Sequence, residues 1–423
     1  SSPECYPDVS LGDKLTIQDS RNAPKGRGLA FPKVFCLGGA GKIGSEAVRD
    51  LVEFSEVERI TVGDLREEPC AALVDDVGDP RVDYVRLDIA DKEEAISVLS
   101  DYDIVMDATT ISLNDISTEC IARAGCHGVN LNGFGEEYKF DSIFREHGRI
   151  HVPGFGMTPG TTDMMVRFAA DQMESVDTVR VSHGAFRPIA FSPSITETTT
   201  YEYDPELPGR VVFEDGEFLQ VPPFAREMVI ELPKPYGSHP QWIIPHSETR
   251  TVREYLEEKG IRLIEVRGTW PPENMRLVRA LYEWGFLRND KISVGDRELG
   301  IMDVIGDYLQ GSTEGTTTKL YGYALHVQVI GVKEGSGETE MTITHTHPSS
   351  DGSEPGWEGL RAYTRCVGIP LAIAVNCIAR GEASGTGVVI PERAFDPNIV
   401  FGELARRRIL IHVVETEKRQ RQP

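Results

Sequence analysis

An apolar run, Val34 to Leu37, feeds directly into Gly39-Ala40-Gly41-Lys42-Ile43-Gly44, and no other segment restricts the possible folds so tightly. The glycines stand at G-x-G-x-x-G spacing, and each has a mechanical task. Gly39 permits the tight turn, Gly41 lets a pyrophosphate approach the backbone, and Gly44 lets the following helix pack on the strand. That helix is announced by apolar residues at Ala47, Val48, Leu51 and Val52. Phosphates would rest on its N-terminus, where free N–H groups and the helix dipole favour negative charge.

Such glycine spacing also occurs in turns of other α/β folds, so the flanking pattern carries the reading. A second apolar strand, Arg59-Ile60-Thr61-Val62-Gly63, ends in Asp64, 20 residues beyond Gly44. A carboxylate at about that distance accepts hydrogen bonds from the adenosine ribose. Two more strand-like pieces follow, 83–87 ending in Asp88 and 103–106 ending in Asp107-Ala108. Strands alternating with helices indicate an α/β fold, a Rossmann-type doubly wound parallel sheet. Gly39, Gly41, Lys42, Ile43 and Gly44 would then surround the phosphates of a nicotinamide dinucleotide. Asp64, Leu65 and Arg66 would meet the ribose, and Asp88, Ile89, Ala108 and Thr109 would line the remaining groove. Asp64 repels a 2′-phosphate and favours NAD, whereas Arg66 would pair with that phosphate. NAD is the expected cofactor and NADP the alternative.

At 423 residues the chain exceeds one ordinary core, and two domains are expected. Its net charge of −23 argues against nucleic acid or an anionic membrane as partner, since both need a basic face. The same charge would keep a cytoplasmic enzyme soluble and would attract a cationic substrate. No stretch approaches ~18 uninterrupted apolar residues, so no transmembrane helix is expected. The polar start, Ser1 to Arg27, lacks a signal-peptide core. Seven cysteines without C-x-x-C spacing fall mostly in apolar or helical patterns, where a thiol behaves as a small hydrophobe. A reducing compartment fits that usage.

Along the chain, an N-terminal extension is expected over 1–30 and the dinucleotide domain over 31–165, with helices over 114–124 and 138–147. The Gly/Pro-rich loop Gly154 to Gly160 then joins a strand to a helix, on the side of a parallel sheet where ligands bind. From about Val176, polar–apolar alternation over 178–184, 209–213 and 262–267 predicts a mixed or antiparallel sheet. A hairpin of 321–332 and 338–347 belongs to this inserted second α/β (α+β) domain, expected over 166–354. C-terminal helices over 355–423 return to the first domain, and the charged tail 415–423 is expected to fray.

With both halves in view, the chain resembles the saccharopine dehydrogenase family of NAD(P)-dependent amino-acid oxidoreductases. The resemblance rests on segments in a fixed order: the glycine turn with Asp64, then Ala124-Gly125-Cys126-His127-Gly128-Val129-Asn130, and then Gly156-Met157-Thr158-Pro159-Gly160. After these come Phe213-Glu214-Asp215-Gly216-Glu217, the stretch Trp270 to Leu287, and Gly368-Ile369-Pro370 with Gly387 to Glu392. It implies a dinucleotide domain completed by the C-terminal helices and an inserted domain that shapes the substrate site and dimerises. It further implies oxidation or reduction at the CH–NH group of an amino acid, in the manner of lysine 6-dehydrogenase or saccharopine reductase. A carboxynorspermidine dehydrogenase-type imine reductase is one alternative, and a non-catalytic dinucleotide sensor is another. The chain departs from the family at Asn130, where many relatives carry Asp.

The reaction so implied is hydride transfer through an imine, on an amino acid or a polyamine-like substrate, and the site must hold a carboxylate and an amine and move a proton. Arg187 and Arg267 are candidate carboxylate clamps, because the planar guanidinium pairs bidentately. His183 and His246 are candidate acid/base groups. Glu248 is a candidate ammonium ligand, although its position before a helix also suits N-terminal capping. Glu197 heads the segment Thr198 to Tyr203, whose acids and phenols would select an amine if it faces the cleft. His345-Thr346-His347 places two imidazoles on one strand face, a pattern metals use, but no third and fourth ligand lies nearby in sequence and no metal is expected.

Overall fold

The computed structural model describes residues 28–418, apart from 134, 191, 208, 288–289 and 312–318. Most of the expected N-terminal extension (1–30), including Cys5, and the last five tail residues lie outside the described residues.

Short apolar strands alternating with helices build the first half. β1 (Lys33–Leu37), α1 (Gly44–Phe54), β2 (Arg59–Asp64), α2 (Glu67–Val77), β3 (Val82–Arg86) and α3 (Lys92–Leu99) come first. β4 (Ile104–Asp107), α4 (Asn114–Ala124), β5 (His127–Asn130), α5 (Asp141–Glu146) and β6 (Ile150–Val152) follow. All of these strands pair in parallel, in the order β6-β5-β4-β1-β2-β3. The chain reverses direction across the sheet between β1 and β4, and such a switch point opens a crevice at the strand ends. Helices cover both faces, so β4 is apolar through Ile104, Val105 and Met106 and buried throughout.

α6 (Thr161–Ala170) leads into the long β7 (Ser175–Phe186) of a second sheet. α7 (Pro193–Tyr203), β8 (Val211–Glu214), β9 (Glu217–Gln220), β10 (Met228–Leu232), β11 (Gly237–Ile243) and α8 (Glu248–Tyr255) come next. Then follow β12 (Leu263–Thr269), α9 (Pro272–Glu283), a small hairpin of β13 (Lys291–Val294) and β14 (Arg297–Gly300), α10 (Ile301–Gly311), β15 (Gly322–Val332) and β16 (Glu338–Thr346). The chain closes with α11 (Arg361–Ala379), β17 (Gly387–Val388), α12 (Pro391–Ala394), α13 (Pro397–Arg406) and β18 (Leu410–Lys418). The second sheet runs β10-β11-β12-β7-β15-β16-β18, with β8 and β9 attached to β12. Only its β7–β12 pairing is parallel.

The expected boundary at 165/166 falls inside α6, whose Met164, Met165 and Val166 are all buried. A single apolar core joins residues of both sheets, from Val34 and Val62 to Val181 and Val329. α11 lies at its centre, packed on α1, β4, β5, α13 and β15. Among the described residues it is the one helix long and apolar enough to cross a bilayer, and here the protein itself covers it. The six described cysteines are buried and unpaired.

Two expectations for the C-terminal segment are corrected. Besides its helices, it supplies a strand to each sheet, β17 beside β6 and β18 beside β16. Glu415–Lys418, expected to fray, pair with β16 in β18, and the Glu415 carboxylate accepts from Lys333 Nζ at 2.8 Å. Alternation explains it: Ile411 and Val413 pack against the core while His412 and Val414 face solvent, and past them an edge strand tolerates charge.

Candidate active site

One cavity of about 1170 Å³ runs from the glycine turn after β1 to the inner face of the second sheet. Ordinary small-molecule pockets hold roughly 300–1,000 Å³, so this space has room for two ligands meeting end to end. At its first end, backbone decides the shape. A Cβ on Gly44 would lie 2.3 Å from the Gly38 carbonyl oxygen, so only glycine allows α1 to start so close to β1. A Cβ on Gly41 would meet only the Gly38 carbonyl, at 3.1 Å, and its other side is open to the cavity. A pyrophosphate fits that cradle, on the N-terminus of α1. Lys42, Ile43, Asp64, Leu65, Arg66, Asp88, Ile89, Ala108 and Thr109 line the cavity as well. Gly39 does not; it lies beneath the turn, where a Cβ would sit 2.6 Å from the Cys36 carbonyl oxygen. At the ribose end, the Arg66 N–H donates to Asp64 Oδ1 at 3.2 Å, and the Arg66 side chain is 69% exposed.

His183 and Ala185, alternate residues of β7, and Arg187 just past its end face the other end of the cavity. Aromatic rings stack along this wall. His183 lies 5.4 Å from His246 and 5.6 Å from Tyr323, and Tyr323 lies 5.5 Å from Tyr363, all near-parallel. The Arg187 guanidinium then sits between the rings of Tyr363, at 5.7 Å, and Trp270, at 5.0 Å.

The two imidazoles are in opposite charge states. His183 is 2% exposed, and neither ring nitrogen has a hydrogen-bond partner among the described residues. Burial, reinforced by the neighbouring His246, pushes its pKa down to about 3, so it is neutral. His246 lies 3.4 Å from Glu248 and 3.8 Å from Glu202. Burial alone would lower its pKa, but Glu248 and Glu202 outweigh that and raise it to about 10. Glu248 is fully buried behind it, accepting from the hydroxyls of Thr158 at 2.5 Å and Thr162 at 2.9 Å. Burial disfavours its charge, yet His246 and Thr158 hold it near 2.

Three of the sequence candidates lie off the cavity wall. Glu248 stands behind His246. Glu197 spans the mouth instead, its Oε1 accepting the Ser112 N–H at 2.9 Å and so tying α7 to the turn after β4. Arg267 is buried on the opposite face of β12. It pairs with Glu265 at 2.9 Å and donates to the Arg226 carbonyl, while Gly268, the next residue, leaves the space that the His183 ring needs. Alternation along the strand therefore removes Arg267 from the cavity.

Glu202, an acid of the segment expected to select an amine if it faces the cleft, does line the cavity, as do Trp270, Tyr323 and Tyr363, which sequence reasoning does not reach. Tyr363 sits in an apolar helix and reads as core, so only its packing against Tyr323 and Arg187 reveals it. The Asn130 departure also has a local cause. Its Oδ1 accepts from Asn132 and Gly154 N–H at 3.1 and 2.9 Å, and its Nδ2 donates to Asn114 Oδ1 at 2.9 Å, a bond that an ionised Asp cannot make.

Folding brings Cys366 to His345 and His347, with one ligand atom of each within 4.8 Å of the others. The imidazole lone pairs are spent, however. His347 Nε2 accepts the Tyr323 N–H at 3.1 Å and His345 Nδ1 accepts the Leu325 N–H at 3.2 Å. That leaves the outward nitrogens protonated and the trio poorly suited to a metal.

Residues 34–148 match the family model described as the saccharopine dehydrogenase NADP binding domain, and residues 156–409 match the saccharopine dehydrogenase C-terminal domain. Among solved structures, apo saccharopine dehydrogenase (L-Glu forming) from Saccharomyces cerevisiae is similar with a TM-score of 0.68 at 13% identity, covering 91% of this chain and 100% of that one. The homospermidine synthase of Legionella pneumophila, solved in complex with NAD, gives 0.62 at 11% identity over 91% of each chain. At such identities the likeness is one of fold.

Proposed function

Because the chain belongs to the saccharopine dehydrogenase family and is thereby an NAD(P)-dependent oxidoreductase, we propose that it acts on the CH–NH or CH–NH₂ group of an amino acid. The observation that carries this reading is the continuity of the cavity, which joins the glycine cradle to a wall where Arg187, His183, His246 and Glu202 converge. A non-catalytic sensor has no need of that convergence. Bound nicotinamide dinucleotide would supply or accept the hydride. The Gly41 backbone and the N-terminus of α1 hold its phosphates, and Asp64 holds its ribose, which favours NAD; the exposed Arg66 is the residue that would admit NADP.

Arg187 receives the substrate carboxylate, its guanidinium plane fixed between Trp270 and Tyr363. His183, on the cavity wall and without a hydrogen-bond partner at either nitrogen among the described residues, is the group placed to take the proton that the reacting amine sheds before the imine forms. His246 stays charged through the neutral range and so does not exchange that proton. Its role is electrostatic, keeping His183 neutral, while Glu248, Thr158 and Thr162 fix its position. Arg267 and Glu197 have no part in this assignment.

The test is a substrate screen: reduction of NAD and of NADP with lysine, ornithine, saccharopine and polyamines, followed in both directions. Turnover of an amino acid with either dinucleotide supports the reading. Tight dinucleotide binding with no turnover of any of these compounds sinks it.

A further inference from the structure

Between β4 and α5, four side chains form a hydrogen-bonded series that can run in one sense only. The fully buried Glu137 carboxylate accepts from the Gly133 and Gly135 N–H groups at 3.1 and 2.9 Å, and from Asn114 Nδ2 at 2.8 Å. Facing an acceptor, Asn114 must turn its amino group to Glu137 and its Oδ1 away. That Oδ1 accepts from Asn130 Nδ2 at 2.9 Å and from Asn132 Nδ2 at 3.2 Å. Asn130 Oδ1 is taken in turn by the N–H groups of Asn132 and Gly154. Asn132 is the last link. It is 8% exposed and lines the cavity, and its amino group is spent on Asn114. Its Oδ1 has no partner among the described residues, yet it is not sealed in. A reversed Asn132 would set its oxygen against that of Asn114, so the cavity meets a fixed acceptor here.

Position selects the donor. The strands of the first sheet run parallel, with Asp64 at the end of β2 for the adenosine ribose and the glycine turn at the end of β1 for the phosphates. The other half of a dinucleotide then extends across the switch point, toward the ends of β4 and β5, where Asn132 stands. Leu131, Pro159 and Val367 gather beside it around Gly154 and Gly156, an apolar lining that suits a flat aromatic ring. A neutral oxygen serves an ammonium less well than a carboxylate does, but it matches the N–H of a primary amide. We propose that Asn132 Oδ1 receives the carboxamide amino group of the nicotinamide and so fixes which way the ring turns. This assignment rests on the dinucleotide site and not on the identity of the substrate.

The test is calorimetric binding without substrate. Three compounds are compared: NAD, its 3-acetylpyridine analogue, in which a methyl group replaces the amide NH₂, and ADP-ribose, which lacks the ring. The 2′-phosphorylated set is run alongside. In whichever set binds, the parent should hold the nicotinamide compound ~5-fold tighter than the acetylpyridine analogue, the scale of one neutral hydrogen bond. Asn132→Ala should erase that preference and leave the affinity for the ring-less compound unchanged. If Asn132→Ala folds poorly by circular dichroism, Asn132→Leu, close to Asn in shape and unable to accept, takes its place. A preference that survives in a folded variant overturns the proposal, as does a parent that shows none. A parent that binds none of the compounds removes the dinucleotide site and the proposal with it. Binding that depends on Asn132, with no amino acid turned over, leaves Asn132 in its role and sinks only the substrate reading.

Discussion

The dinucleotide end of the cavity is shaped by backbone over a few consecutive residues, whereas the substrate end is assembled from side chains on β7, α7, β15, α11 and the ends of β11 and β12. In the first region a glycine's missing Cβ is the shaping feature, and at Gly41 and Gly44 it is set by contacts within the turn itself. In the second, Arg187, whose Nη1 donates to the Pro188 and Ile189 carbonyls, is flanked by Trp270 and Tyr363, 83 and 176 residues further along the chain. Local construction ties function to single positions; assembled construction spreads it over partners that fail separately. Substitutions at the two ends should therefore leave different signatures.

The sharpest contrast is expected at the substrate end. Arg187→Ala removes a buried cation whose carboxylate partner is then unpaired, a loss of about 3–5 kcal/mol, so kcat/KM for an amino-acid substrate should fall by two orders of magnitude or more. Arg187→Lys keeps the charge but not the fork and should still raise KM. Dinucleotide affinity should not move in either. Arg267→Lys is the control: committed to Glu265 on the far face of β12, it should lower thermal stability and leave KM alone. A KM rise in Arg267→Lys matching that of Arg187→Lys would break the division between the two faces.

At the other end, Gly41→Val should weaken dinucleotide binding by roughly 2 kcal/mol, the scale of overpacking in a close-fitting site, with the fold intact by circular dichroism. Unchanged affinity would show that phosphates do not rest on this turn.

A third expectation concerns pH. The His246 pKa, ordinarily near 6.5, is held at about 10 in the folded protein. The folded state thus binds this proton more tightly than the unfolded chain, and the resulting stability is complete below pH ~6.5 and lost as pH climbs to about 10. Thermal unfolding midpoints should fall over that window in the parent and fall less steeply in His246→Asn. Parallel slopes would mean that His246 is not the fixed cation.

The smallest effect is expected at the seam between the two regions. Glu197→Gln weakens one hydrogen bond to Ser112, a matter of ~1 kcal/mol, and should speed dinucleotide release a few-fold in stopped-flow measurements without altering substrate KM.

The same contrast explains what was legible beforehand. The strand–glycine–helix sequence, Asp64 and the helix over 114–124 are recorded in local spacing, and they stand in the structure where the spacing puts them. β18 was misread because charge in Glu415-Thr416-Glu417 masks the alternation of Ile411 and Val413 just before it. At the substrate end, residue type alone picked out His183 and Arg187, but it equally favoured Arg267, since sequence does not tell which side of a strand faces a cleft. Tyr363 is visible only with long-range contacts.

Those contacts also set a timetable. α1, which begins at the glycine turn, is secured by ion pairs that reach far along the chain: Glu46 with Arg361 at 2.7 Å, and the buried Asp50 with Arg407 at 2.7 Å, the partners 315 and 357 residues apart. α11, which packs on the first sheet, and β17, which extends it beside β6, are likewise made after the strands they join. Until they emerge from the ribosome, Asp50 has no Arg407 to neutralise it and one flank of the nascent first half stays bare. Pairing across such separations is slow, because loop closure must come before the contact rewards it. The nucleotide cradle is translated well before the partners that finish it.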